Sequence, residues 1–244
     1  MALPNLLSFK MGNRELKQLH GAPCRPISFP AWLIRDYIRY GRIGQYVSMS
    51  RRIPGWTRGS EAAALALASH ALPSNCVIIE IGSFLGCSTV LLAGARKLAG
   101  SGRVISIDPF DGSGDQFSMQ IYQNITSTLE LPLRLCFERN IQVAGVANWV
   151  EVYQQQAHEV AARWTTPIDL LFLDGDQSYP AVTRAYHSWI PYLKKGGLIA
   201  LHNSRPGSHH PTHDGHVRLV LETIHPPEYG DVRCVDTTTF ARKA

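Results

Sequence analysis

The 244-residue chain has no apolar run near the ~20 residues that a bilayer-spanning helix needs, so no integral membrane role is expected. Its N-terminal stretch lacks an apolar core followed by a small-residue cleavage site, and no secretory leader is expected. The five cysteines, Cys24, Cys76, Cys87, Cys136 and Cys234, show neither CxxC spacing nor the framework of a disulfide-stapled domain. They read as reduced, mostly buried thiols, which makes the cytoplasm the expected compartment. No internal repeat or low-complexity tract is present, which argues against a solenoid. What remains, 45% hydrophobic and 18% charged, is ordinary for a globular protein whose length fits one large α/β domain with embellishments.

Charge is uneven along the chain. Residues 1–60 carry ten Lys or Arg against Glu15 and Asp36, a net +8 that leaves the remainder at −3. Such a segment suits an anionic substrate, nucleic acid or an acidic partner face, and it reads equally well as a solvated surface. Pro4, Pro23, Pro26, Pro30 and Pro54 break this region into short helices, Trp32 to Tyr40 among them. We expect residues 1–60 to form a helical cap or extension and residues 61–244 the main domain. Glu61 to Ala71 reads as a helix with Ser60 as its N-cap.

From Val77 onward, short β-branched runs alternate with helical stretches. The runs are VIIEIG (77–82), RVISID (103–108), WVEVY (149–153), IDLLFLD (168–174) and GLIALH (197–202). Between the first two, Ser88 to Leu98 has helical apolar spacing and stops before Gly100. Pro180 to Leu193 opens with Pro at a suitable first helical position and stops at Lys194-Lys195-Gly196-Gly197. This alternation predicts a doubly wound α/β fold, with a mostly parallel sheet buried on both faces. The tail VRCVDTTTFARK has strand character and is expected to supply the last edge strand.

The most specific feature is Glu80-Ile81-Gly82-Ser83-Phe84-Leu85-Gly86-Cys87-Ser88-Thr89, which follows a strand and opens a helix. Glycines there let backbone approach a ligand, and Ser88 and Thr89 can donate to it. The GxxxG spacing departs from the GxGxxG that cradles a pyrophosphate, and no Tyr-xxx-Lys pair is present, which disfavours a nicotinamide-dependent dehydrogenase. Asp108 ends the second strand, where a carboxylate can accept both hydrogen bonds of a ribose diol. The fourth strand ends in Asp174-Gly175-Asp176-Gln177-Ser178-Tyr179, and two carboxylates at one strand edge repel unless a cation or ligand compensates them. The fifth ends in His202-Asn203; if the strands are neighbours, Asp174 and Asn203 converge with oxygen ligands for a hard divalent cation. The plainer alternative is that Asp174 caps a helix and Asn203 makes a turn.

From Trp56 to Lys243 the chain resembles class I S-adenosylmethionine-dependent methyltransferases, the family that includes macrolide-sugar O-methyltransferases, cephalosporin-type tailoring enzymes and bacterial polysaccharide methyltransferases. The residues that carry the resemblance are IPGWT (53–57), EIGSFLGCST (80–89), SIDPF, LFLDGDQSYPAV (171–182) and WIPYLKKGG (189–197). It implies a seven-stranded Rossmann-like fold and methyl transfer to a hydroxyl of a sugar, oligosaccharide or other small molecule. It also implies that Glu80, Gly82, Ser83, Gly86, Ser88 and Thr89 surround the methionine end of the cofactor. Asp108 would hold the ribose, with Ala157-His158 and Asp174 near the adenine and sulfonium. Related enzymes bind Mg²⁺ through an Asp after the fourth strand and a pair after the fifth, so Asp174, His202 and Asn203 are the implied metal ligands.

Three positions depart from the family pattern. Gln177 stands where the family usually carries a His assigned as the base, Ala185 where it carries an Asp, and Asn203 where it carries an Asp. Gln177 cannot take a proton. Six of the ten histidines lie between residues 202 and 225, and histidine is well poised for proton transfer near neutral pH. His202, nearest the expected chemistry, is the first candidate base, and His213 on the SRPGSHHPTHDGH loop is the reserve. HHxxH lacks the paired spacing of a structural zinc site. Trp56 and Tyr179 are candidate substrate walls. LDGD lacks the Pro-Pro-aromatic platform for a flipped amino base, and Pro23-Cys24 precedes the cofactor motif, so nucleic acid is not the expected acceptor. A small-molecule or saccharide acceptor and a homo-oligomer are expected; the rival is a cofactor-binding partner protein without catalysis.

Overall fold

A computed structural model describes residues 31–207 and 210–244. The residues of the expected cap up to Pro30, Pro23-Cys24 and His209 lie outside the described residues. Ala31–Ala244 forms one unit. It opens with α1 (Ala31–Tyr40), a 3₁₀ turn and α2 (Gly44–Ser50), whose Tyr46 ring lies against Gly94. Then follow α3 (Gly59–His70), β1 (Val77–Ile81), α4 (Cys87–Ala99), β2 (Arg103–Ile107), α5 (Met119–Thr126), α6 (Leu133–Val143), β3 (Val150–Tyr153) and α7 (Ala157–Ala161). The chain closes with β4 (Ile168–Leu173), α8 (Tyr179–Trp189), β5 (Leu193–Leu201), α9 (Gly215–Thr223), β6 (Tyr229–Val235) and β7 (Thr238–Lys243).

The seven strands form one sheet in the order β3-β2-β1-β4-β5-β7-β6. β1 lies parallel between β2 and β4, with Ile79 opposite both Ile105 and Leu171. All five β1 residues are buried, because helices cover both faces and strand side chains alternate between them. Ile78 joins the core beneath α3 and α4, while Val77, Ile79 and Ile81 join the one beneath α8 and α9. α4 ends on left-handed Gly100 (φ 74), as its sequence predicts.

The tail forms two strands rather than one. β7 runs antiparallel and inserts between β5 and β6, so β6 is the edge. The turn between them caps α3: Asp236 Oδ2 accepts the N–H groups of Ser60 (3.0 Å) and Glu61 (3.1 Å). Ser60 therefore sits inside the first turn and is not the N-cap; a side chain 176 residues away supplies the acceptor that the helix start needs.

Candidate active site

A pocket opens at the carboxyl ends of β1, β2 and β4. Its lining runs from Trp56 and Phe84 across the turn at Gly82–Ser83 to Asp108, and on to Ala157 and His158, with Asp174, Gly175 and His216 on the remaining side. The strand tips converge closely: Asp174 N–H donates to the Ile81 carbonyl (2.8 Å) and Gly82 N–H to that of Ile107 (3.0 Å). Gly82 has φ 87, and a Cβ there would lie 2.4 Å from the Asp174 carbonyl oxygen. Only glycine lets the β1 and β4 tips approach this far.

Beneath the turn, Glu80 is fully buried and accepts hydrogen bonds from Ser88 (2.6 Å), Thr89 (2.5 Å), Ser106 (3.0 Å) and Ser83 (3.1 Å). Burial pushes its carboxyl up to about 7 despite these four donors. The hydroxyls of Ser83, Ser88 and Thr89 thus face Glu80, where the sequence reading had those of Ser88 and Thr89 donating to a ligand. Asp108 is also committed to the turn. Its Oδ2 accepts the N–H groups of Ser83 (2.8 Å) and Phe84 (2.9 Å), and its Oδ1 that of Phe110 (2.6 Å). Phe84 is held at φ 47, a conformation costly for a non-glycine residue, and the Asp108 carboxylate is what fixes it.

One end of the pocket is aromatic. Trp56 packs edge-on against Tyr122 (5.2 Å between centroids) and tilted against Phe84 (5.6 Å), and Phe84 contacts Tyr122 at 5.2 Å. Trp56 is aimed by its neighbours: a Cβ on Gly55 would lie 2.6 Å from Cys87 Cβ, and Arg58 ties the segment to the carbonyls of Ser50 (2.8 Å) and Ile53 (2.7 Å). Tyr179 is elsewhere. Its hydroxyl bonds Glu222, and Arg218 stacks on its ring at 3.6 Å, so it fastens α8 to α9 and does not line the pocket.

His202 sits at the tip of β5, 1% exposed, between two carboxylates. Its Nδ1 lies 2.7 Å from Asp174 Oδ1 and its Nε2 3.5 Å from Glu61 Oε1. Burial alone would lower its pKa, but Asp174 and Glu61 push it up to about 10. Burial raises the Asp174 carboxyl, and His202 works against that. Glu61 is held at about 2, against the effect of burial, by His202, Thr237 and the Arg58 N–H. The repulsion expected between the two acids of DGD is absent for a simple reason: His202 neutralises Asp174, while Asp176 is exposed and accepts from Ser178 N–H (2.8 Å).

This geometry argues against both roles expected of His202. With Nδ1 hydrogen-bonded to Asp174 Oδ1 and Nε2 3.5 Å from Glu61 Oε1, the His202 ring faces the protein's own carboxylates in this arrangement rather than an acceptor. Asn203, at φ 51, follows it in a left-handed turn. Among the described residues no group of three or more His, Cys, Asp or Glu is arranged to hold a metal ion. Asp174 Oδ1 is hydrogen-bonded to His202 Nδ1 (2.7 Å), so in this arrangement Asp174, His202 and Asn203 do not present a ready oxygen site for Mg²⁺.

Three buried polar atoms nearby have no partner among the described residues: Gln177 Oε1, Asp214 Oδ1 and His216 Nδ1. Gly215 N–H donates to the Gln177 carbonyl (2.9 Å), which joins the start of α9 to the turn after β4. Burial lowers the His216 pKa to about 3, so its ring is neutral. His216, Glu61, Phe84 and Tyr122 are site residues that the sequence reading did not single out. Only Phe84, inside the glycine turn, had a local signal.

A nucleoside-sized pocket over the strand tips of a doubly wound sheet, with a glycine turn between the first strand and its helix, defines a cofactor-dependent α/β enzyme. The family described as methyltransferase domain matches residues 79–204, and the chain belongs to it: it is an S-adenosylmethionine-dependent methyltransferase. Solved structures share the fold. Cofactor-bound Rv0187 from MTB is 19% identical (TM-score 0.59), covering 90% of this chain and 98% of its own. An O-methyltransferase from Bacillus cereus in complex with SAH is 17% identical (TM-score 0.54; 87% and 98%). CalS11, a TDP-rhamnose 3'-O-methyltransferase of calicheamicin biosynthesis, is 17% identical (TM-score 0.52; 94% and 91%).

Proposed function

We propose that this enzyme methylates a hydroxyl of a sugar or similar polyhydroxylated small molecule. S-adenosylmethionine supplies the methyl group and leaves as S-adenosylhomocysteine. Its methionine end fits against the backbone of Gly82, Ser83 and Gly86, and its nucleoside end between Asp108 and His158. Asp108 serves mainly by fixing the turn, and Glu80 by holding Ser83, Ser88 and Thr89 beneath it.

The observation that carries the acceptor class is His216 Nδ1, a buried unpaired atom on the pocket lining, with Gln177 Oε1 and Asp214 Oδ1 likewise unpaired on the adjoining turn and loop. Buried acceptors need donors, and hydroxyl groups supply them. Trp56 and Tyr122 add aromatic surface for the apolar side of a sugar ring. CalS11, of the same fold, acts on a sugar nucleotide. No metal step belongs to this reading, since His202 already compensates Asp174.

The test is transfer from methyl-labelled S-adenosylmethionine to a panel of nucleotide sugars, free sugars, catechol and amino sugars. A base-stable methyl ether on one of these is the expected product. Label appearing only on amino acceptors, with none on any hydroxyl, would overturn the acceptor class.

A further inference from the structure

The loop before α5 and the loop before α9 meet in an Asp–His pair that the site described so far does not use. Asp115 is 3% exposed, and its Oδ1 accepts the N–H groups of Phe117 (3.0 Å) and Ser118 (3.1 Å). Its Oδ2 lies 3.1 Å from His213 Nδ1, and Ser118 Oγ lies 3.2 Å from the same nitrogen. Phe117 packs against the His213 ring at 5.0 Å and stacks on His210 at 5.1 Å. His213 Nε2 has no hydrogen-bond partner among the described residues. Gly114 beside Asp115, Tyr122 on α5 and His216 three residues beyond His213 line the pocket, so the Asp115–His213 pair adjoins that lining without being part of it.

We propose that His213, oriented by Asp115, is the general base that takes the proton of the acceptor hydroxyl. This rests on the hydroxyl-methylation reading above. With Asp115 accepting from Nδ1–H, the neutral ring carries its lone pair on Nε2. The acceptor oxygen bonds to the methyl carbon as the carbon–sulfur bond breaks toward sulfur. The hydroxyl proton passes to Nε2, and the imidazolium so formed is paired with the Asp115 carboxylate until it releases the proton to water. Burial would raise the Asp115 carboxyl, but the hydrogen bonds from His213 and Ser118 hold it at about 2, so it stays ionised throughout. The other titratable groups around His213 are His210 and Asp214 on its own loop, His216 on α9, Asp174 at the β4 tip and Tyr122 on α5. Of the sequence's two candidates, His202 is enclosed between acids, whereas His213 has a nitrogen free.

Two measurements test this. In the ¹⁵N-labelled full chain, long-range proton–nitrogen correlations of the His213 ring, assigned with His213→Gln, should show the neutral ring protonated on Nδ1. A ring protonated on Nε2 overturns the proposal whether or not an acceptor is known. With an acceptor from the panel above, His213→Gln should lower kcat by about 10²–10⁴-fold and abolish the acid limb of the pH profile, with S-adenosylhomocysteine affinity within twofold of wild type. Asp115→Asn should lose turnover with the same affinity retained. Wild-type kcat with an unchanged acid limb in His213→Gln overturns the base while leaving methyl transfer intact. Intact cofactor binding with no turnover of any hydroxyl counts against the acceptor class, and the ring spectrum still decides the base.

Discussion

Glu80 and Glu61 are both buried acids close to the pocket, and the protein holds them in opposite ways. Glu80 meets four side-chain hydroxyls and no cation, and burial lifts it to about 7. Glu61 meets an imidazolium as well as Thr237, Thr238 and a backbone N–H, and it falls to about 2. Hydroxyl donors alone do not replace the hydration a carboxylate loses, whereas one buried positive charge does. The fold therefore contains a neutral-leaning knot under the cofactor turn and a charged bridge, Glu61–His202–Asp174, between α3, β5 and β4.

The sharpest way to break this contrast is to remove the shared cation. His202→Ala leaves two buried carboxylates uncompensated and should destabilise the protein by about 3–5 kcal/mol, read from urea unfolding. The pH dependence identifies the cause. His202 has a folded pKa above its unfolded value, so its stabilisation is complete below about 6.5 and is lost as pH rises toward 10. Glu61 has a depressed pKa, so its share is lost as pH falls from about 4.5 toward 2. A wild-type protein whose stability is flat between pH 6.5 and 10 would sink the charged bridge.

Glu80→Gln should cost less, about 1–3 kcal/mol, because the hydroxyls can rotate toward the amide oxygen while its NH₂ displaces one of them. Since the Glu80 carboxyl is raised, the folded state binds the extra proton between about 4.5 and 7, and wild-type stability falls as pH rises through that window. The variant lacks this slope, so its deficit should be largest near pH 5 and shrink by pH 8. A deficit that grows with pH would mean that Glu80 is charged in the fold. Asp236→Ala should have the smallest effect, about 1 kcal/mol, through loss of the cap that places Glu61 at the start of α3. A change beyond about 3 kcal/mol would show that the cap and the bridge behave as one unit.

Sheet and cofactor turn were readable because their signals are local. The runs at 77–82, 103–108, 149–153, 168–174 and 197–202 each became a strand, and the glycine turn lies where β1 hands over to α4. α6 had its pattern too, with Leu133, Phe137 and Ile141 four apart and buried, but its flanks are irregular and it was not singled out. The site's charge balance was not readable. DGD announced two acids, but the ion that answers them is His202 acting with Glu61, and that acid is in turn held by residues 176 positions further on. Likewise, nothing near Asp115 in sequence points to His213, 98 residues away. Such pairings depend on which strand tips the topology brings together, and no short window contains them.

Cys87 opens α4, lines the same pocket and packs under Gly55. A methyl sulfonium is an alkylating agent, and a thiolate beside it would be a competing nucleophile. Burial pushes the Cys87 thiol up to about 11, and its sulfur faces the carbonyls of Ser50 and Thr57. The thiol form therefore prevails at neutral pH, although the Arg58 guanidinium donates to the sulfur at 3.3 Å. The tight seat of the Trp56 segment on the helix start thus also keeps this pocket-lining sulfur in its weakly nucleophilic form.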